Sequence, residues 1–133
     1  MNGECCVLNK NAKSVLICFG GMALKMGLMP PFEFFNYLSG IYGDVLDLYF
    51  FRDLAQCWYH IGINGISKNI DETKEYLDKI IGMKKYNRVI MMGVSSGGYA
   101  SILFGSLCGV TDVIAFKPRT THELRMKDIR YYD

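Results

Sequence analysis

The chain has 133 residues, the size of one domain. Half of them are hydrophobic and 21% are charged, a composition that excludes intrinsic disorder. The net charge is only +2 and both signs are interspersed, so no concentrated basic patch predicts nucleic-acid binding or attachment to a membrane surface.

The first predicted elements are a strand, a helix and a second strand. Residues 14–19 form an apolar run that ends at Gly20-Gly21, which is typical of a buried strand. Residues 32–38 follow two prolines and carry aromatic and leucine side chains at helical spacing, with Gly40 as the predicted stop. Residues 45–51 are again apolar and predict the second strand.

The next helix has the clearest boundary signals in the chain. Asn69 is a suitable N-cap, Glu72 falls at capping-box spacing, and Gly82 marks the predicted end. A third strand at 88–92, a third helix at 99–108 and a fourth strand at 112–116 follow.

Strands that are apolar on both faces and separated by helices predict a parallel sheet covered on both sides. We therefore expect one α/β domain over residues 1–133, with a three-layer α/β/α architecture and a mainly parallel sheet of about four strands. Residues 119–133 are expected to form a charged tail or a short helix.

Cysteine spacing and the N-terminus predict the cellular compartment. The five cysteines include no C-x-x-C pair, so we expect free thiols in a reducing compartment and no metal site. The apolar run at 15–19 is too short for a signal peptide or a membrane span. A cytoplasmic protein without a membrane span is the expectation. No Walker A or dinucleotide motif is present, and no cofactor is expected.

The strongest chemical motif is Gly93-Val94-Ser95-Ser96-Gly97, which matches the G-x-S-x-G nucleophile elbow. In that motif the serine stands on a tight strand-to-helix turn, and the flanking glycines let the neighbouring backbone approach closely. A predicted strand precedes the motif and an apolar helix follows it, as the elbow requires. The sequence therefore predicts Ser95 as a nucleophile.

An acyl-transfer site also needs N–H donors for the developing oxyanion. One predicted donor is the amide of Ser96, the residue after the nucleophile. The other is expected from the Gly20-Gly21 turn, where Gly21 and Met22 are the candidates.

In the order of its elements, the chain resembles the central part of the α/β-hydrolase superfamily, from the third to the sixth strand. The finer resemblance is to a small branch that shares four motifs, F-G-G, R-D…W-Y-H-x-G, S-x-G-G-Y-A and A-F-x-P, here at 19–21, 52–62, 95–100 and 115–118. Members of that branch occur near surface-glycan and capsule biosynthesis functions. The resemblance implies ester or acyl chemistry, and it implies that the C-terminal part of the fold, with its histidine loop, is missing.

A serine nucleophile needs a base, usually a histidine oriented by a carboxylate. The family's chain order points to His122, which lies in a charged stretch just after the last predicted strand. The alternative is His60, on a loop at the carboxyl edge of the sheet, with Asp53 to orient it. Trp58 and Tyr59 on the same loop are candidates for substrate binding, although core packing is the commoner role of such aromatics.

Two classes of function follow. The first is a serine hydrolase-like protein with an incomplete triad, centred on Ser95, that acts on a small ester or an acylated glycan. The second is a catalytically inactive binding or assembly module, or a fragment that takes its histidine from a partner segment. In that case the exposed sheet edge beside the fourth predicted strand would support a homodimer.

Overall fold

The structure, a computed structural model, describes residues 2–22 and 32–118. The predicted tail at 119–133 lies outside the described residues, and so does the pair of prolines before the first predicted helix.

The sheet has five strands, one more than the sequence predicted. They are β1 (Glu4–Val7), β2 (Ser14–Phe19), β3 (Asp47–Phe51), β4 (Arg88–Val94) and β5 (Asp112–Phe116), in the spatial order β1-β3-β2-β4-β5. Strands β2 to β5 are parallel, and β1 pairs antiparallel with β3. The expected mainly parallel α/β sheet is confirmed.

The unpredicted strand β1 lies at one edge of the sheet. It has only four residues, and Cys6 is exposed while its neighbours are partly buried. Glu4 accepts a hydrogen bond from the Tyr76 hydroxyl over 2.6 Å. A polar residue is therefore tolerated in this strand, which is why hydrophobicity did not reveal it.

The three helices are α1 (Phe35–Tyr42), α2 (Ile70–Gly82) and α3 (Ser96–Cys108). Helices α2 and α3 cover one face of the sheet, where Leu77, Ile80, Ala100 and Phe104 pack on strand side chains such as Ile17 and Met91. Helix α1 covers the other face through Leu38 and Phe35, against Leu48 and Phe50 among others. The predicted three layers are confirmed.

Capping explains where two of the helices begin and end. The Asn69 side chain accepts from the Glu72 amide over 2.8 Å, as the capping-box spacing predicts, and α2 ends at Gly82. Helix α1 differs from the prediction, because it continues past Gly40 to Tyr42 and stops where Gly43 N–H bonds to the Ser39 carbonyl. Gly40 is exposed and meets no neighbour, so nothing forces the helix to end there.

A buried carboxylate stabilises the amino-terminal edge of the sheet. Asp47 accepts from Asn9 N–H (2.7 Å), Lys84 Nζ (2.7 Å) and Tyr86 OH (2.6 Å). Burial raises the pKa of Asp47, but these three donors outweigh it and hold the pKa below its usual value. This network lies at the end of the strands opposite to Ser95.

Candidate active site

Ser95 occupies the turn between β4 and α3 in an unusual backbone conformation. Its φ is 55° and its ψ is −117°, a region that residues with a side chain rarely adopt. Ser95 N–H donates to the Phe116 carbonyl over 2.9 Å, and its own carbonyl accepts from Tyr99 N–H over 3.0 Å. Both neighbouring elements, β5 and α3, therefore hold the turn.

The glycines of the G-x-S-x-G motif are required by close backbone contacts. A Cβ on Gly93 would lie 2.1 Å from the Gly97 carbonyl oxygen, and a Cβ on Gly97 would lie 2.1 Å from the Phe19 carbonyl oxygen. Any side chain at either position would collide with backbone atoms. The two glycines of the motif therefore allow the close backbone approach that the sequence predicted.

The same contacts join the Ser95 turn to the Gly20-Gly21 turn after β2. Gly97 packs on the Phe19 and Gly20 backbone, and a Cβ on Gly21 would lie 3.2 Å from the Val94 carbonyl oxygen. Gly20 N–H donates to the Phe51 carbonyl over 2.8 Å and is not available to a ligand. The predicted donors Gly21 and Met22 are the next two amides along this turn.

Ser96, the other predicted oxyanion donor, is the first residue of α3. Amides in the first turn of a helix have no intrahelical acceptor, and the positive end of the helix dipole favours negative charge there. Ser96 as a whole is 3% exposed, and its role as an oxyanion donor stays a prediction. The structure thus brings Ser95, Ser96 and Gly21 together at the carboxyl edge of the sheet.

Tyr59 is buried beneath the Gly20-Gly21 turn. Its hydroxyl donates to the Gly20 carbonyl over 2.7 Å and lies 3.3 Å from the Phe51 carbonyl oxygen. The side chain is 0% exposed, and burial raises the pKa of this phenol well above its usual value. Tyr59 is therefore a neutral hydrogen-bond donor to the backbone. Its burial favours the core role that the sequence analysis left open, and Trp58, at 3% exposed, is placed similarly.

Asp53 orders the loop that leads to His60. One carboxylate oxygen, Oδ2, accepts from Cys57 N–H over 2.7 Å and from Tyr59 N–H over 2.9 Å. These bonds hold Trp58 and Tyr59 at positive φ angles of 59° and 62°. A catalytic role for Asp53 stays a prediction. Its visible effect is on the backbone that carries His60.

His60 lies against the first turn of α3. Its Nε2 is 2.8 Å from the Tyr99 hydroxyl, and the two rings stack with centroids 5.7 Å apart. Trp58 packs edge-on against the same Tyr99 ring at 5.1 Å. Tyr99 follows Ser95 by four residues in the chain. His60 as the base stays a prediction, and the alternative His122 lies outside the described residues.

Sequence reasoning missed Tyr99 and Glu33 as residues of this region. Tyr99 sits in the S-x-G-G-Y stretch, but nothing in the sequence shows that it meets a loop 39 residues earlier. Glu33 Oε1 lies 3.7 Å from the position of a Cβ on Gly21, which places a carboxylate beside the turn. No spacing signal in the sequence relates Glu33 to Ser95.

Residues 2–22 and 32–118 show neither a cluster of metal ligands nor a membrane-spanning helix. No group of three or more His, Cys, Asp or Glu residues in these ranges could hold a metal ion. Neither do these ranges contain a helix long and apolar enough to cross a membrane.

No protein-family model and no curated protein sequence matches the chain. Two solved structures share its fold. The capsule O-acetyltransferase of Neisseria meningitidis serogroup A superposes with a TM-score of 0.71 at 18% identity, over 96% of this chain and 52% of that chain. A structure of that acetyltransferase with caged gadolinium gives a TM-score of 0.67 at 18% identity, over 96% and 54%. This chain therefore spans about half the length of the proteins it superposes on, and the likeness confirms its α/β fold.

Proposed function

We propose that the chain carries an acyl-transfer site in which Ser95 is the nucleophile. The observation that supports this most directly is the Ser95 turn, where a serine at φ 55° stands between two glycines whose missing side chains make room for backbone. A turn strained in this way persists only where the surrounding structure holds it, and such positions cluster at functional sites. That the site belongs to an α/β-hydrolase stays part of the proposal.

The proposed reaction begins with attack of Ser95 Oγ on the carbonyl carbon of an ester. A base takes the hydroxyl proton as the new C–O bond forms, and the carbonyl oxygen becomes an oxyanion that accepts from the Gly21 and Ser96 amides. Collapse of this intermediate releases the alcohol, which recovers the proton, and leaves the acyl group on Ser95. Water or a sugar hydroxyl then removes the acyl group by the reverse sequence.

The substrate class that we propose is a small ester or an acylated glycan. A structural neighbour that is a capsule O-acetyltransferase supports acyl transfer in general, and the fold places the turns after β2 and β4 side by side at the edge where ligands of parallel sheets bind. The expected acyl group is small, as in that neighbour's acetyl transfer. We also propose a cytoplasmic location, because five free thiols suit a reducing compartment.

For the base we propose His60, with Asp53 as the residue that orders its loop. The imidazole already lies at the first turn of α3, where it hydrogen-bonds Tyr99. To accept a proton from Ser95, one of its two ring nitrogens must come within hydrogen-bond reach of Ser95 Oγ. If a His60→Gln variant reacts as fast as the native chain, the base is instead His122 or a histidine on another segment.

A fluorophosphonate probe tests the nucleophile directly. We expect the native chain and Ser96→Ala to be labelled, because Ser96 contributes only its amide, and Ser95→Ala to remain unlabelled. Hydrolysis of p-nitrophenyl acetate by the same three proteins reports acyl transfer to water. Absence of labelling in the native chain contradicts the proposal.

The second candidate function, a binding or assembly module, is favoured by the β5 edge of the sheet. Val113, Ile114 and Phe116 are 40–48% exposed and lie on both faces of this strand. A second apolar feature is a groove of about 280 Å³ on α3, lined by Tyr99, Ile102, Leu103, Ser106 and Leu107. An apolar edge strand is a template for pairing with another chain.

For this candidate we propose a homodimer across β5. Sedimentation equilibrium of the native chain is expected to give a dimer, and Ile114→Lys a monomer. Val45→Lys, at an exposed apolar position outside β5, is the matched control and leaves the dimer intact. A native chain that stays monomeric at all concentrations contradicts the homodimer.

A further inference from the structure

We propose that Tyr59 is a positioning residue that sets the direction of the Gly21 N–H group, and so prepares one half of the oxyanion site. This inference rests on the proposed acyl-transfer function. Tyr59 acts through the backbone and does not contact the substrate.

The argument begins with the geometry of one peptide unit. The carbonyl of Gly20 and the N–H of Gly21 belong to the same planar group, and in a trans peptide they point in opposite directions. The Tyr59 hydroxyl holds the Gly20 oxygen over 2.7 Å. Fixing the oxygen on the buried side therefore fixes the Gly21 N–H on the opposite side.

Because two consecutive glycines flank this peptide, a hydrogen bond is needed to fix its orientation. Neither residue has a Cβ, so the peptide between them can rotate at little steric cost. If it turned over, the Gly20 carbonyl would replace the N–H at the site and would repel an oxyanion. The bond from Tyr59 favours the orientation that presents a donor.

Tyr59 is itself held firmly enough to impose this orientation. Asp53 accepts from its backbone N–H over 2.9 Å, and its ring packs edge-on against Phe19 at 5.5 Å. The side chain is 0% exposed, which excludes direct contact with a substrate. The raised pKa keeps the phenol protonated throughout the ordinary pH range, so it always donates.

Tyr59→Phe removes the hydroxyl and keeps the ring, and Tyr86→Phe is the matched control. Tyr86→Phe also removes a tyrosine hydroxyl hydrogen bond, the partly buried 2.6 Å bond to Asp47, but at the opposite edge of the sheet. Both variants are first shown to fold by urea unfolding. With p-nitrophenyl acetate, we expect Tyr59→Phe to lower kcat by roughly 10²-fold, the effect of losing one oxyanion donor, with KM little changed. Tyr86→Phe is expected to keep the native kcat.

A second readout, the amide signal of Gly21 in ¹⁵N-labelled protein, does not depend on activity. We expect this signal to shift in Tyr59→Phe and to stay in place in Tyr86→Phe. A Gly21 signal that does not move, or a native kcat in Tyr59→Phe, overturns the inference. If the native chain is inert but Gly21 moves as expected, the positioning by Tyr59 is supported and the proposed function alone fails.

Discussion

Replacing Gly97 by alanine tests whether the two turns of the site are packed as tightly as the structure shows. The new Cβ would lie 2.1 Å from the Phe19 carbonyl oxygen, and carbon atoms of that kind do not approach closer than 3.0 Å, so the backbone must move by about 0.9 Å. Overpacking of this kind costs about 1–3 kcal/mol, and backbone on both sides places Gly97 at the upper end. The alanine recovers about 0.5–1 kcal/mol of helix propensity, which leaves a loss of about 2 kcal/mol.

Urea unfolding measures this loss, and Gly40→Ala is the control. Gly40 lies inside α1 and meets no neighbour, so alanine there is expected to stabilise the protein by about 0.5–1 kcal/mol. The displaced Phe19 carbonyl also moves the Gly20-Gly21 turn, and a misplacement of about 1 Å is expected to slow fluorophosphonate labelling by roughly 10²-fold. If Gly97→Ala is as stable as Gly40→Ala, the packing argument is refuted.

Three further predictions concern stability and thiol chemistry. Asp47→Asn is expected to cost about 1.5–3 kcal/mol at pH 7, the value of hydrogen bonds to a charged group. Because the folded state holds the pKa of Asp47 below its unfolded value, this stabilisation is present above that value, about 3.9, and is lost as the pH falls through the folded pKa. Asn69→Ala is expected to cost about 1 kcal/mol, since it removes the cap of α2. With a thiol reagent at pH 8, the exposed Cys57 is expected to react quickly and the buried Cys18, whose pKa burial raises to about 12, only on unfolding.

Each of these predictions has a control in the same chain. Asp112→Asn breaks an exposed ion pair with Arg88 and is expected to change stability much less than Asp47→Asn. An Asp47→Asn variant that keeps the native acid dependence contradicts the assigned network. Asn69→Asp should preserve the cap that Asn69→Ala removes. A Cys18 thiol that reacts as fast as Cys57 in the native state contradicts the buried position of β2.

The parts of the fold that the sequence predicted well are those with local causes. Helix α2 begins and ends where its cap and its glycine indicate, because both signals act within one helical turn. After Ser14, the strand β2 is apolar because both of its faces are covered. Strand β1 was missed because its partner β3 is some 40 residues away in the chain and an edge position needs no apolar pattern.

The predictions for the site divide in the same way, into features with local causes and contacts between distant parts of the chain. The Ser95 turn could be predicted, since strand, glycine spacing and helix are contiguous in the sequence. The bond between His60 and Tyr99 and the bond from Tyr59 to Gly20 could not, because each depends on where the loop that carries Tyr59 and His60 meets another part of the chain, helix α3 or the turn after β2. Asp53 was predicted to orient His60, and that role stays a prediction. Its hydrogen bonds to backbone amides are a tertiary detail that residue type alone does not determine.

The two long-range bonds of the site have a consequence for how the protein is handled. Each joins residues 39 positions apart, and closing a flexible loop of that length costs about 3 kcal/mol in chain entropy. The hydrogen bonds of α2 and α3 close only single helical turns, so they do not carry this long-range closure cost. A partly folded chain can therefore show helical circular dichroism while its site has not formed. The state of the Gly20-Gly21 turn is a stricter criterion of an intact preparation than helix content.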